Sequence, residues 1–177
     1  QRQMCIRDSP GVAPSNDTIK RIDVCSAEEM LAQVMGEMPK TDLFISVAAV
    51  ADYRARKISA NKIKKRDLAK SSPTIELEET PDIIRRVASM KERPLVIGFA
   101  AETNSAIQNA RIKLNEKNLD AIIVNDVSRN DIGFGSTENE VTFVSKTQER
   151  TIAKRDKDSL SRELIDIIYT EFKVRLE

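Results

Sequence analysis

The chain has 177 residues, of which 40% are apolar, so it can bury the core of a single domain. Its 29 Lys and Arg residues nearly balance its 28 Asp and Glu residues, and the net charge of +1 gives no bulk attraction to nucleic acid or to an anionic membrane. No histidine is present, which excludes Ser-His-Asp triads, histidine general bases and histidine-ligated zinc sites.

The first residues have the composition of neither a folded element nor a targeting signal. Gln1–Ser9 reads QRQMCIRDS and lacks the apolar region of a signal peptide. It resembles translated linker sequence joined to a truncated gene, and the residues after it have turn composition. We therefore expect a non-native or disordered leader and loop over residues 1–18, and one domain over residues 19–177.

Strands are predicted by two kinds of pattern. Short apolar runs, typical of parallel strands covered on both faces, lie at Asp42–Ala51, Leu95–Ala101 and Ala121–Val124. Alternating patterns predict further strands at Ile19–Val24, Thr74–Glu78, Glu140–Ser145 and Arg150–Lys154, the last two forming an exposed edge hairpin.

Helical patterns fill the spaces between these runs. Ser26 and Glu29 fit a capping box, and Thr80 and Thr103 are the expected N-caps of two later helices. The expected helices run from Ser26 to Pro39, from Thr80 to about Met90, from Thr103 to about Lys117 and from about Ser159 to the end. Their predicted buried positions include Met30, Leu31, Val34, Met35 and Met38 in the first helix and Leu160, Leu164, Ile167 and Ile168 in the last. The alternation predicts an α/β, Rossmann-like three-layer fold with a mainly parallel sheet and an edge β-hairpin.

Ligands of an open α/β sheet bind at the carboxyl ends of the strands. The three apolar runs end in small residues followed by an acid or amide, at residues 48–52, 99–103 and 125–126. Such ends leave room for a planar group and offer polar contacts to it. A single strand end of this kind is more often structural, so the signal lies in the combination.

Basic residues supply two further signals. The segment from Tyr53 to Arg66 holds seven Lys and Arg residues and no acid, so the rest of the chain carries a net charge of −6. It could neutralise a polyphosphate, although a solvated basic loop is the commoner explanation for such a run. Lys113 and Lys117 stand four apart on one predicted helix and could straddle adjacent phosphates, or could simply be solvated.

Other residue types exclude the common alternatives for a nucleotide site. The two cysteines, Cys5 and Cys25, lack C-x-x-C spacing, and the five glycines form neither a dinucleotide fingerprint nor a P-loop. The signals together favour a nucleoside triphosphate held by lysines without a glycine-rich loop. Chemistry without histidine or a reactive cysteine then points to nucleotidyl transfer assisted by cations, including Mg²⁺.

Seven ordered motifs resemble those of one known family. They are SVAAVADYR (Ser46–Arg54), KIKK (Lys62–Lys65), TPDII (Thr80–Ile84), GFAAET (Gly98–Thr103), KLNEKNLD (Lys113–Asp120), NDVS (Asn125–Ser128) and GFGSTEN (Gly133–Asn139). On these motifs the chain is similar to phosphopantothenate–cysteine ligase, a CTP-dependent enzyme of coenzyme A biosynthesis. In most bacteria that ligase is the C-terminal half of a protein fused to a flavin-dependent decarboxylase.

The resemblance implies a two-step ligation. The carboxylate of 4′-phosphopantothenate attacks the α-phosphate of CTP and releases pyrophosphate, and the amine of cysteine then displaces CMP. It also implies a role for each matching residue. The backbone of Ser46, Val47 and Ala48 contacts the nucleotide, and Asp52 lies near its ribose or metal. Lys62 is the catalytic flap lysine on the triphosphate, and Lys113 and Lys117 bind phosphates. The base pocket is lined by Pro81, Asp82, Ile83, Ile84 and Phe99.

The same resemblance implies CTP with Mg²⁺, no flavin in this chain, a homodimer formed through the sheet region and flap, and a cytoplasmic location. It implies no membrane or nucleic-acid partner. One family stretch, of the form FISN-x-SSGKMG, has no counterpart here, and in the family it supplies an asparagine that acts on the acyl-cytidylate. We therefore expect an N-terminally truncated first βαβ unit, CTP binding that is weak at best, and no completed ligation.

Two other classes remain open at the level of sequence. A nucleic-acid-binding module could use the basic segment, although Tyr53 is the only aromatic residue in it. A dehydrogenase fragment is disfavoured because the glycine fingerprint is absent.

Overall fold

A computed structural model of the chain describes the backbone of residues 3–7 and all of residues 18–59, 61–64, 74–103, 105–127 and 136–177. The structure has two units: the first comprises Gln1–Gln33 and Ala49–Ile83, and the second comprises Val34–Ala48 and Ile84–Glu177. In chain order the elements are β1 (Gln3–Arg7), β2 (Ile19–Asp23), α1 (Ala27–Glu37), a 3₁₀ turn (Met38–Lys40), β3 (Leu43–Ser46), β4 (Tyr53–Ala55), β5 (Leu77–Glu79), α2 (Ile83–Ala88), β6 (Leu95–Glu102), α3 (Ala106–Glu116), β7 (Ala121–Asp126), β8 (Glu138–Ser145), β9 (Glu149–Asp156), α4 (Lys157–Glu171) and α5 (Lys173–Leu176). Within the described ranges no helix has the length and apolar character that a membrane span requires.

A five-stranded sheet forms the framework of the second unit, with strand order β3-β6-β7-β8-β9. The pairs β3–β6 and β6–β7 are parallel, whereas β7–β8 and β8–β9 are antiparallel. The predicted Rossmann-like α/β fold and its hairpin are confirmed. The sheet is mixed rather than mainly parallel, because the hairpin joins it directly and contributes two of its four pairings.

Helices cover both faces of this sheet. On one face, the four predicted apolar residues of α4 are buried against alternate residues of β6 and β7, including Ile97 and Ile123. On the other face, a Cβ added to Gly98 would stand 2.9 Å from Cδ1 of Leu119 and 3.3 Å from Cδ1 of Ile84. The glycine therefore lets α2 and the turn after α3 approach β6 closely, which completes the three layers.

The first unit contains two small sheets. β1 pairs in parallel with β2, and β4 pairs in antiparallel fashion with β5. Arg54 of β4 lies directly opposite Glu78 of β5, and its Nε donates a 2.8 Å hydrogen bond to Glu78 Oε1. Arg54 also forms an ion pair with Glu28 of α1, so its charge is neutralised within this unit.

The start of α1 confirms the capping box. The backbone N–H of Glu29 donates to Ser26 Oγ over 3.1 Å, and the N–H of Cys25 donates to Glu29 Oε2 over 2.7 Å. Of the predicted apolar stripe, Met30, Val34 and Met38 are buried, and Leu31 and Met35 are half-buried. The strand predicted at Ile19–Val24 is also present, one residue shorter.

Two helix starts differ from the prediction. Thr80 is not an N-cap: its N–H donates to Asp52 O over 2.9 Å and its hydroxyl donates to Ala51 O, so it ties β5 to the loop before β4. The next helix begins at Ala106, and Ser105 rather than Thr103 occupies its N-cap position. A threonine beside an apolar run can cap a helix or hydrogen-bond a neighbouring loop, and the local sequence does not decide between these two roles.

Two strand environments also differ. Among the described strands, β3 lies at an edge of its sheet rather than in the centre, and its residues are half-buried. An apolar run predicts a strand without fixing how many neighbours pair with it. β8 lies between β7 and β9 and is mostly buried, so β9 is the one strand of the hairpin that lies at an edge of the described sheet.

The leader residues also depart from expectation in part. Gln3–Arg7 forms β1 rather than a disordered stretch, since five residues suffice to pair in parallel with β2. The rest of the expected leader up to Asp17 lies outside the described residues, and the non-native origin of the segment stays a prediction.

Candidate functional site

The carboxyl ends of β3, β6 and β7 lie at the same edge of the sheet, because the three strands are parallel neighbours. Ser46 pairs with Gly98, and β6 then continues four residues to Glu102, which pairs with Asp126 at the end of β7. The polar strand ends singled out in the sequence thus belong to one edge. Ile84, which lies 3.3 Å from a Cβ position at Gly98, belongs to the same neighbourhood.

The last residue of β6 is bound to the first two turns of α3. Lys113 Nζ donates to Glu102 Oε1 over 2.6 Å, and Asn109 Nδ2 donates to Glu102 Oε2 over 3.1 Å. The hydrogen bond from Lys113 holds the pKa of Glu102 below its ordinary value, against the opposing effect of desolvation. The ammonium of Lys113 is therefore held at the carboxyl edge of the sheet by a carboxylate of the same chain.

Lys117 follows one turn later, as predicted. It is the C-cap of α3, and its N–H donates to Lys113 O over 3.0 Å. The turn after it is fixed by Asp120, which is 8% exposed and accepts hydrogen bonds from Arg93, Arg175 and the N–H of Val96. Burial of Asp120 tends to raise its pKa, but these hydrogen bonds outweigh burial and the pKa lies below the ordinary value.

Asn125, which the sequence marks as a polar strand end without giving it a role of its own, is a further candidate for the site. Its side chain is 5% exposed, and its Oδ1 has no hydrogen-bond partner in the described structure. It shares a face of β7 with Ile123, whose partner in β6 is the half-buried Phe99. Buried polar atoms are almost always hydrogen-bonded, so this free acceptor indicates that a donor is supplied from elsewhere. The sequence signal for it is an amide inside an otherwise apolar strand.

The predicted residues of the first unit are described by themselves. Asp52 is exposed, and its carbonyl oxygen accepts the 2.9 Å hydrogen bond from Thr80, which places it beside the chain leading to Pro81. Pro81 is half-buried, Asp82 is exposed and Ile83 is buried at the start of α2. Lys62 is exposed, and Lys65 and Arg66, which follow in the basic segment, lie outside the described residues.

The remaining predicted residues belong to the second unit. Ser46 is half-buried at the end of β3, and the side chains of Val47 and Ala48 after it are exposed. The structure thus brings Ser46 and Ile84 together around Gly98 of β6, and Lys113 with Lys117 at the end of α3. Phe99 is on the alternate face of β6, where it packs against the core cluster that includes the buried residues of α4. The motifs NDVS and GFGSTEN fall partly on residues 128–135, which lie outside the described ranges.

The acidic residues fit a cation that arrives with phosphates. Among the described residues no group of three or more Cys, Asp or Glu side chains could hold a metal by itself. Mg²⁺ is ordinarily held by one or two carboxylates together with substrate phosphates, and Glu102 and Asp126 are directly paired in register at the strand ends. Both oxygens of Glu102 already accept hydrogen bonds from Lys113 and Asn109, so Mg²⁺ at this edge would be held mainly by the phosphates that bring it.

Comparison with known proteins identifies the relatives of the chain. Residues 5–172 match the family described as the DNA/pantothenate metabolism flavoprotein C-terminal domain. The coenzyme A biosynthesis bifunctional protein CoaBC of Escherichia coli K12 is 40% identical over 164 residues, which are 92% of this chain and 40% of that protein. CoaBC of Bacillus subtilis is 37% identical over 148 residues, or 83% of this chain and 36% of that protein. The chain thus spans about two fifths of the length of these relatives.

Solved structures show the same fold. The crystal structure of the C-terminal domain of CoaBC superimposes with a TM-score of 0.76 at 29% identity and covers 97% of this chain and 75% of that one. A Cab2 mutant in complex with phosphopantothenate-cysteine matches with a TM-score of 0.59 at 16% identity over 77% of this chain and 47% of that one, which shows the fold alone. The chain therefore belongs to the DNA/pantothenate metabolism flavoprotein C-terminal domain family and corresponds to the C-terminal domain of CoaBC.

Proposed function

We propose that this chain forms the nucleotide-binding part of a ligase that uses CTP to join 4′-phosphopantothenate to cysteine in coenzyme A biosynthesis. The observation that carries the proposal is the strand edge of the second unit. There a lysine held by Glu102, a second lysine one turn away and a buried free acceptor on Asn125 occur in a chain 40% identical to CoaBC.

The chemistry divides into two displacements. A carboxylate oxygen of 4′-phosphopantothenate attacks the α-phosphorus of CTP, the bond to the β-phosphate oxygen breaks, and pyrophosphate leaves with the electron pair. The amine of cysteine then attacks the acyl carbon of the acyl-cytidylate, CMP leaves, and the amine loses a proton as the amide forms. Neither step requires a protein nucleophile, which agrees with the absence of histidine.

The residues of this chain bind and orient the nucleotide. Lys62, Lys113 and Lys117 neutralise charge on the phosphates, and Lys62 is the proposed catalytic residue. Asp52 contacts the ribose or the accompanying metal, and the backbone of residues 46–48 lies along the nucleotide. Mg²⁺ that arrives with CTP adds charge neutralisation at the phosphorus under attack.

Phe99 and Asn125 form the proposed wall for the base. Phe99 pairs in register with Ile123, and Asn125 lies two residues further on the same face of β7. A ring can pack on Phe99, and an exocyclic amine is a donor of the kind that Asn125 Oδ1 lacks. On the family resemblance alone, Pro81, Asp82, Ile83 and Ile84 are also proposed to contact the base.

The homodimer is a proposal supported by the first unit. β4 and β5 form a sheet of only two strands, which is marginally stable alone. Apolar side chains on and beside it are exposed: Tyr53 is 58% exposed, Ile58 91%, Ile63 65%, Ile75 71% and Leu77 59%. A second copy of the chain would cover them. Light scattering after size-exclusion chromatography should give a dimer mass that Leu77→Lys reduces to a monomer, and an unchanged mass would contradict the proposed interface.

A CTP titration followed by thermal shift tests the nucleotide site. We expect CTP to raise the Tm of the wild-type chain, and Lys62→Ala and Asp52→Ala to reduce that rise. Lys146→Ala is the matched control, since Lys146 is an exposed lysine of the β8–β9 turn. Equal responses of all four proteins would show that the proposed site is wrong. Release of pyrophosphate in the presence of 4′-phosphopantothenate then measures the first step, and the cytoplasmic location and the fusion to a decarboxylase stay predictions.

A further inference from the structure

Glu102 is placed to govern the phosphate-binding lysine rather than to bind the nucleotide. Its side chain is 13% exposed, and both of its carboxylate oxygens accept hydrogen bonds, from Lys113 at 2.6 Å and from Asn109 at 3.1 Å. Lys113 is 45% exposed, so solvent and ligands can reach its ammonium. The carboxylate is therefore the fixed member of this pair and the ammonium is the accessible one.

Exchange of this ion pair is energetically easy for a polyanion. Only the lysine of this pair is half-exposed, whereas Glu102 is 13% exposed and keeps its hydrogen bond from Asn109 when Lys113 leaves. Ion pairs that water reaches contribute only about 0 to 1 kcal/mol, because water screens the charges. A triphosphate brings several negative charges to the same ammonium and can outcompete a single carboxylate. A ligand with no phosphate has no anionic group that could replace the carboxylate, so Lys113 stays paired with Glu102.

We propose that Glu102 is a positioning residue that holds Lys113 at the carboxyl edge of β6 and yields it to the phosphates of the incoming nucleotide. The proposal rests on the proposed function in one respect, namely that Lys113 contacts phosphates of CTP. Glu102 sets an electrostatic threshold: it lowers affinity for every phosphate ligand, and the phosphate-rich substrate overcomes the threshold better than the monophosphate product.

Neutralising the carboxylate without changing its shape tests this role. Glu102→Gln keeps a side chain of the same size: its Oε1 can accept from Lys113, and its NH2 can donate to Asn109 Oδ1 once the Asn109 amide turns over. We expect this variant to bind CTP and inorganic pyrophosphate about three- to tenfold more tightly. Affinity for cytidine should not change. Glu149→Gln is the matched control, because Glu149 pairs with Arg111 of the same helix at a similar 2.7 Å. It should leave all three affinities unchanged.

A second substitution separates positioning from a general charge effect. In a Lys113→Met background, Glu102→Gln should produce no gain in affinity for CTP or pyrophosphate. A gain that persists without Lys113, or an equal gain from Glu149→Gln, overturns the proposed role of Glu102, as does unchanged or weaker binding in Glu102→Gln.

The experiment also distinguishes this role from the proposed function. If the wild-type chain binds CTP and Glu102→Gln binds it no better, only the role of Glu102 fails. If pyrophosphate binding shows the gain that depends on Lys113 while no variant binds CTP, the role of Glu102 stands and the nucleotide proposal fails. If no variant binds either compound, both fail.

Discussion

Replacing Asn125 by leucine should stabilise the protein while it weakens nucleotide binding. The carboxamide is 5% exposed and its Oδ1 is unpartnered, and an unsatisfied buried polar group costs about 1 to 3 kcal/mol. Leucine has nearly the same shape and adds apolar contact next to Ile123 and Val141. We expect the free energy of unfolding to rise by about 1 to 2 kcal/mol, or about 2 to 8 °C in Tm for a domain of this size. Loss of one hydrogen bond to the base should weaken CTP binding about three- to tenfold.

Asn139 provides the matched control, because it is a buried asparagine whose oxygen is already used. It is 7% exposed, and its Oδ1 accepts a 3.0 Å hydrogen bond from the N–H of Glu140. Asn139→Leu should therefore lower the free energy of unfolding by about 1 to 3 kcal/mol. Urea unfolding and CTP titration of both variants give the two readouts. If Asn125→Leu is destabilised as much as Asn139→Leu, the oxygen of Asn125 has a partner within the protein and the reasoning is wrong.

Two further predictions concern the framework of the second unit and the helix before it. Gly98→Ala should lower the free energy of unfolding in urea by about 1 to 3 kcal/mol, because its Cβ would lie 2.9 Å from Leu119 Cδ1. Gly36→Ala should instead raise it by about 0.5 to 1 kcal/mol, because no atom lies within 4 Å of the added Cβ and alanine favours the helix α1. The pKa of Asp120 in the folded state lies below its ordinary value, so its stabilising contribution is present above that ordinary value and is lost as pH falls through the folded-state pKa. Asp120→Asn should therefore lower the free energy of unfolding at pH 7 by about 2 to 3 kcal/mol and flatten its decline in acid, and an unchanged acid decline would refute this.

Local signals in the sequence predict the elements well, because each depends on residues that are close in the chain. The capping box of Ser26 and the apolar stripe of α4 are complete within one helix, and both are confirmed. The edge position of β3 and the role of Thr80 depend on which strands pair, and no local pattern contains that information. Register decides these features, and register is a property of distant segments.

The candidate site likewise combines local features, which the sequence predicts, with features that depend on strand pairing, which it does not. The spacing of Lys113 and Lys117 predicts two cations one turn apart, which the structure confirms. The partner of Lys113 is eleven residues earlier, at the end of a strand whose length the sequence underestimates by one residue. The free oxygen of Asn125 is likewise visible only when β6, β7 and β8 are paired around it.

Charge counted along the sequence overstates the cations available to a polyanion. Arg54 is one of the seven basic residues of the predicted phosphate-binding segment, but it lies opposite Glu78 and also pairs with Glu28. The hydrogen bond from its guanidinium to Glu78 raises the pKa of Arg54, so its charge is retained and is balanced by carboxylates of the first unit. Two carboxylates on a paired strand and a helix hold it, and a ligand would have to replace both. Lys113 has one carboxylate at a strand end, and its half-exposed ammonium can change partner. Arg54 therefore stabilises the first unit, and Lys113 is the cation that can serve a phosphate.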